Sequence, residues 1–145
     1  MTNSTTECID KLNGILKGEL SAVETYRQAL EKVKDPIIKE DLKECHMCHS
    51  SRVDTLVEKV KEFGGNPVAN SGAWGSFAKL MAGGATVFGD KASIAVLEEG
   101  EDKGIADYMK LLADSNINVK EIASELMPKQ EGTHAKMRDL KHSMN

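Results

Sequence analysis

Residues 9–33 read IDKLNGILKGELSAVETYRQALEKV, and within them Ile9, Leu12, Leu16, Glu19, Val23, Tyr26, Leu30 and Val33 recur at steps of three and four. That spacing marks one face of an α-helix, because 3.6 residues per turn bring i, i+3, i+4 and i+7 onto one stripe. Upstream, Ser4 followed three residues later by Glu7 reads as a capping box. Downstream, Asp35-Pro36 ends this helix and opens another, with proline at the first helical position. So short a connection makes the two helices antiparallel neighbours.

The same periodicity continues along the chain. Leu42, His46, His49, Val53, Leu56, Val60 and Phe63 form the stripe of a second helix, which Gly64-Gly65 stops. A crossover from about 64 to 89, rich in Gly, Asn and Ser, breaks the pattern, and within it Trp74 to Met81 reads as a short helix. A third helix starts near Asp90 with Ile94, Leu97, Glu101, Gly104, Tyr108 and Leu111 on one stripe. The fourth runs from about Asn118 through Val119, Ile122, Leu126, Thr133, Met137 and Leu140, with Pro128 expected to kink it. The expected fold is all-α: two helical hairpins joined by one long crossover, a four-helix bundle in a single domain over 1–145.

Composition supports this and removes several function classes. With 145 residues, 40% hydrophobic and 29% charged, the chain can bury a core of its own, and aromatics at only 4% favour helix over sheet. Nineteen basic against 23 acidic residues give a net charge of −4, with no basic block to hold phosphates, so no nucleic-acid partner is expected. The least polar stretch, Leu80 to Leu97, is broken by Asp90 and Lys91, so no membrane span is expected. The first residues carry neither a basic start nor an apolar run, and three cysteines make no disulfide framework. A reducing cytoplasm is the expected compartment. Bundles of this size often pair, but no single exposed stripe identifies a homodimer face.

Polar groups interrupt the apolar stripes. Glu19 lies between Leu16 and Val23, Glu101 between Leu97 and Gly104, and His46 and His49 between Leu42 and Val53. A buried carboxylate is costly unless paired, protonated or metal-bound, so lapses at similar heights on several helices point to one shared centre. The two halves also echo each other. Glu19 is followed seven residues later by Tyr26, and Glu101 by Tyr108. His46-x-x-His49 with Asp54 aligns with Glu131-x-x-His134 with Asp139.

These residues resemble the ferritin-like superfamily of di-iron and di-manganese carboxylate proteins. Its site draws one Glu from each of two helices and a Glu-x-x-His pair from each of the others. Overall the chain is most similar to a bacterial domain-of-unknown-function family of ferritin-like, stress-associated proteins. The resemblance implies a metal site of Glu19, His46, His49, Glu101, Glu131 and His134 holding a divalent ion such as Fe, Mn or Zn. His46 stands where the superfamily has a Glu, so a bridging carboxylate is missing and oxidase chemistry does not follow from the resemblance. Bound metal is expected to stabilise the fold, with His49 mattering more than His46.

Other readings stay open for the same residues. Glu19 can lie at the stripe's edge, paired with a Lys or hydrogen-bonded to Tyr108, and Glu131, beside Gly132, can face solvent. A bundle that kept the fold and lost the metal is the alternative function, serving a structural or stress role without catalysis. Cys45-His46-Met47-Cys48-His49 matches the Cys-x-x-Cys-His attachment sequence of c-type haem, but its mid-helix setting and the lack of an export signal lead us to expect no haem.

Overall fold

The computed structural model describes residues 2–71 and 89–144, so the expected short helix at Trp74 to Met81 lies outside the described residues. Four helices are formed: α1 (Asn3–Lys32), α2 (Pro36–Glu62), α3 (Asp90–Leu112) and α4 (Ile117–Ser143). Asp35 caps α2 by accepting from the Ile37 N–H at 2.8 Å, and Asn116 caps α4 by accepting from Asn118 and Val119. The cap of α1 is Thr2, whose hydroxyl accepts from the Thr5 N–H at 3.1 Å, and not the expected Ser4–Glu7 box. Ser4 already lies inside the first turn, where its carbonyl and hydroxyl accept from Asn116 at the far hairpin's turn. Gly64 at φ 84° supplies the left-handed residue that closes α2, a conformation any Cβ would strain. Helix α4 runs unbroken across Pro128.

Helices α1 and α2 form one hairpin, α3 and α4 the other, and the hairpins meet mainly through α1 against α3. The carboxylate of Asp90, at the start of α3, accepts from the backbone N–H groups of Lys34 and Asp35, at the start of α2. At the opposite end, Asp114 in the α3–α4 turn pairs with Lys11 near the start of α1. Thus α2 and α3 start at the same end and run parallel.

The interior is divided in two. One apolar cluster gathers Leu12, Leu16, Leu56, Val60, Val119, Leu126 and Tyr108; the other gathers Tyr26, Ala29, Leu42, Cys45, Ile94, Leu97 and Met137. At about 1.5–3 kcal/mol for each fully buried aliphatic side chain, these clusters supply most of the folding drive. Between them, at mid-height, all four helices contribute buried polar groups: Glu19, His49, Arg52, Glu101, Gln130 and Thr133.

Candidate functional site

His49 on α2 sits between the two carboxylates of the layer. Its Nδ1 lies 2.7 Å from Glu19 Oε1 on α1, and its Nε2 lies 2.7 Å from Glu101 Oε2 on α3. A neutral imidazole has one N–H, so one of these contacts would set a nitrogen lone pair against an oxygen lone pair. With both carboxylates ionised, both nitrogens donate and the ring is an imidazolium. One turn along α2, Arg52 is fully buried, with Nε 3.2 Å from Glu19 Oε2 in an ion pair that lacks straight hydrogen-bond geometry. Its Nη1 donates to Gln130 Oε1, and its Nη2 donates to Thr133 Oγ1 at 2.9 Å.

The tyrosines follow the internal symmetry. Tyr26 on α1 donates across the bundle to Glu101 Oε2 at 2.5 Å, and Tyr108 on α3 donates back to Glu19 Oε2 at 2.8 Å. The Tyr26 ring also stacks on His49, with centroids 5.2 Å apart. Glu101 Oε1 accepts from Gln130 Nε2 at 2.9 Å and from Thr133 at 2.7 Å. Each of the four carboxylate oxygens thus accepts at least one hydrogen bond. Glu19 and Glu101 against Arg52 and His49 give a layer with no net charge.

Proton affinities follow from this arrangement. Burial alone would push His49 down, but the charge of Glu19 and its bonds to Glu101 and Glu19 outweigh it, and the imidazolium is favoured beyond its ordinary range. Burial would push Glu101 up, yet the hydrogen bond and charge of His49, with Tyr26 and Thr133, hold it below the usual carboxylate range. Burial raises Tyr26 and Tyr108 well above ordinary phenols, and pushes Cys45 up to about 12. These three groups stay protonated and serve as donors or apolar filler.

Of the six expected ligands, the structure brings together Glu19, His49 and Glu101. His46 is half-buried one turn before His49, outside the layer. Glu131 is exposed, and His134 faces Asp102, its Nε2 2.6 Å from Asp102 Oδ1. The reason is helical phase. From mid-helix onward the buried positions of α4 are Leu126, Gln130, Thr133 and Met137, so Glu131 and His134 each fall one residue, roughly 100°, off the inward face. The core register therefore pairs His49-x-x-Arg52 of α2 with Gln130-x-x-Thr133 of α4. Arg52 and Gln130 are the functional residues that sequence reasoning missed.

Two small cavities of about 40 and 30 Å³ border the layer, both touching His49. Gly18 and Ala22 of α1 and Gly100 of α3 line both, and Gly104 lines the smaller. Each has room for a water-sized molecule and for little more. Gly104 also makes space for Gln130: a Cβ there would collide with the carboxamide, which is tied to Glu101 and Arg52 and cannot swing away freely. Gly104→Ala is expected to cost about 1–3 kcal/mol in urea unfolding. An unchanged midpoint would show that Gln130 can leave the layer without loss.

Two antiparallel helical hairpins joined by one long crossover form a ferritin-like bundle. Solved structures share this fold, two of them as follows. One is the dodecameric thioferritin, a bacterioferritin-related protein, of Bacteroides fragilis, with TM-score 0.81, 18% identity, and 97% of this chain and 87% of that one covered. The other is a ferritin-like, diiron-carboxylate protein of Bacillus anthracis strain Ames, with TM-score 0.77, 21% identity, and 97% and 99% covered. The chain belongs to the family described as domain of unknown function DUF2383, whose model matches residues 7–114. Among curated proteins nothing matches it.

The donor set does not suit a dinuclear centre of the kind the resemblance implies. Such a centre needs four carboxylates and two imidazoles directed at two ions. Here the two Glu-x-x-His pairs are replaced by His49-x-x-Arg52 and Gln130-x-x-Thr133, leaving two carboxylates and one imidazole. Glu19 and Glu101 approach opposite nitrogens of the His49 ring, so one ion could not take all three. The Arg52 guanidinium, which cannot deprotonate, already lies on Glu19.

Proposed function

We propose that this chain is a non-catalytic ferritin-like bundle whose core carboxylates are neutralised by two protein cations in place of metal ions. The observation that carries this reading is Arg52, wholly buried beside Glu19 and hydrogen-bonded to Gln130 and Thr133. A guanidinium there repels an incoming cation and satisfies the charge that a metal would otherwise balance. The reading puts the protein's work on its surfaces, in a structural or assembly role. Similarity to a dodecameric relative supports self-association, which light scattering on the purified chain would report. Covalent haem has no support from this arrangement, because both nitrogens of His49 are engaged by carboxylates and Cys45 is buried. Among the described residues, no helix is long and apolar enough to cross a membrane.

The test is iron loading of untagged protein. Fe(II) added in air should be oxidised no faster than in buffer, and gel filtration should recover no pair of irons per chain. Two retained irons that disappear in Glu19→Gln would overturn the reading.

A further inference from the structure

We propose that Glu98, Asp102 and His134 form a mononuclear site for a divalent transition-metal ion on the outer seam between α3 and α4, separate from the core layer. Glu98 and Asp102 stand four residues apart on α3, and so on one face of that helix. His134 comes from α4 and turns its Nε2 onto Asp102 Oδ1, 2.6 Å away. One ligand atom from each of the three side chains lies within 4.8 Å of the others, the one such group of His, Cys, Asp and Glu among the described residues. Ligands about 2.1 Å from a single ion stand about 3–3.5 Å apart, so modest side-chain rotation suffices to close the set.

The phase that removes His134 from the core is what places it here. Glu98 is half-buried and also holds Lys141, whose Nζ lies 3.3 Å from its Oε2. Glu98 thus already draws a cation to this seam, a flexible ammonium that a metal ion would displace. One imidazole nitrogen with two carboxylate oxygens suits Zn(II), Co(II), Ni(II) or Fe(II), whereas Cu(I) prefers thiolates and Ca(II) or Mg(II) an all-oxygen shell. Three protein ligands leave at least one position for water. An ion held there would clamp α3 to α4 across their outer seam.

The test uses the full-length, untagged chain titrated with Co(II) or Zn(II), read by calorimetry, by the visible bands of bound Co(II) and by melting temperature. One equivalent of Co(II) should bind with the bands of a low-coordinate ion, and melting should rise. His134→Ala should abolish the bands, Asp102→Asn should weaken binding about tenfold or more, and Lys141→Ala should tighten it about two- to fivefold by releasing Glu98. Glu19→Gln, in the core, should bind like wild type. Absence of stoichiometric binding would overturn the site, as would binding that survives His134→Ala. Metal lost in Glu19→Gln but kept in His134→Ala would overturn both this site and the metal-free reading of the core.

Discussion

Arg52→Met is expected to lower the unfolding free energy by about 3–5 kcal/mol, the typical cost of removing one partner of a buried ion pair. The substitution keeps the apolar stem but leaves Glu19 facing Tyr108 and His49 without its guanidinium, and takes the donors from Gln130 and Thr133. If the loss comes from stranded charge and not from misfit, neutralising the partner should recover much of it. Arg52→Met combined with Glu19→Gln is therefore expected to be more stable than Arg52→Met alone, in urea unfolding followed by circular dichroism. A double variant no better than the single one would show that packing, not charge, sets the cost.

The second large effect is on pH dependence. His49 has a raised folded-state pKa, so its contribution is complete below the ordinary value of 6.5 and is lost as pH climbs through the raised one. Glu101 runs the other way: its contribution is complete above 4.5 and is lost on acidification through its depressed value. Stability should therefore be greatest between these limits and fall on the alkaline side, where the layer would hold two carboxylates against Arg52 alone. Tyr26, Tyr108 and Cys45 are also raised in the folded protein, so they add their own alkaline loss once they ionise in the unfolded chain, from about pH 8.5 upward, and the His49 effect is read below that. Urea midpoints from pH 6 to 8 should decline in wild type and stay flatter in His49→Gln. At pH 6, His49→Ala should cost about 3 kcal/mol or more, and His46→Ala much less. Equal slopes for wild type and His49→Gln would mean that His49 is not charged when folded.

The four helices were legible because hydrophobic periodicity, Asp35-Pro36 and Gly64-Gly65 are local signals, and the structure begins α2 at Pro36 and α3 at Asp90 as expected. The short helix expected in the crossover lies outside the described residues. Half of the polar layer was legible too: Glu19 and Glu101 interrupt strong stripes and are each echoed by a tyrosine seven residues on, and His49 interrupts a third stripe. What failed was phase on the weaker stripes. In α2 the buried series is Leu42, Cys45, His49, Arg52, Leu56 and Val60, whereas the apolar pattern selects His46 and Val53 for Cys45 and Arg52. Both series satisfy a step of three or four. An arginine is discounted for the interior on desolvation grounds, and only the facing Glu19, distant in sequence, makes it affordable. On α4 the apolar stripe takes in Thr133, but the Glu131-x-x-His134 pattern is more conspicuous than its neighbour Gln130, which faces inward. Sequence spacing fixes which residues share a face, but the partner helices decide which face is buried.

The layer between the two apolar clusters also works as a ruler. Either hairpin could slide by a heptad along the other and still match leucines to leucines, and the approximate two-fold symmetry would let the hairpins be confused with one another. A slide would drive Glu19, Arg52 or Glu101 into a purely aliphatic stratum with no counter-charge, and so would be heavily penalised. An exchange would set Gln130 and Thr133 where a carboxylate needs His49 and Arg52. The side chains that add least to net stability thus admit a single alignment of the four helices. A repacked variant with an all-leucine layer would be expected to gain stability while losing its single melting transition and its well-dispersed methyl spectrum.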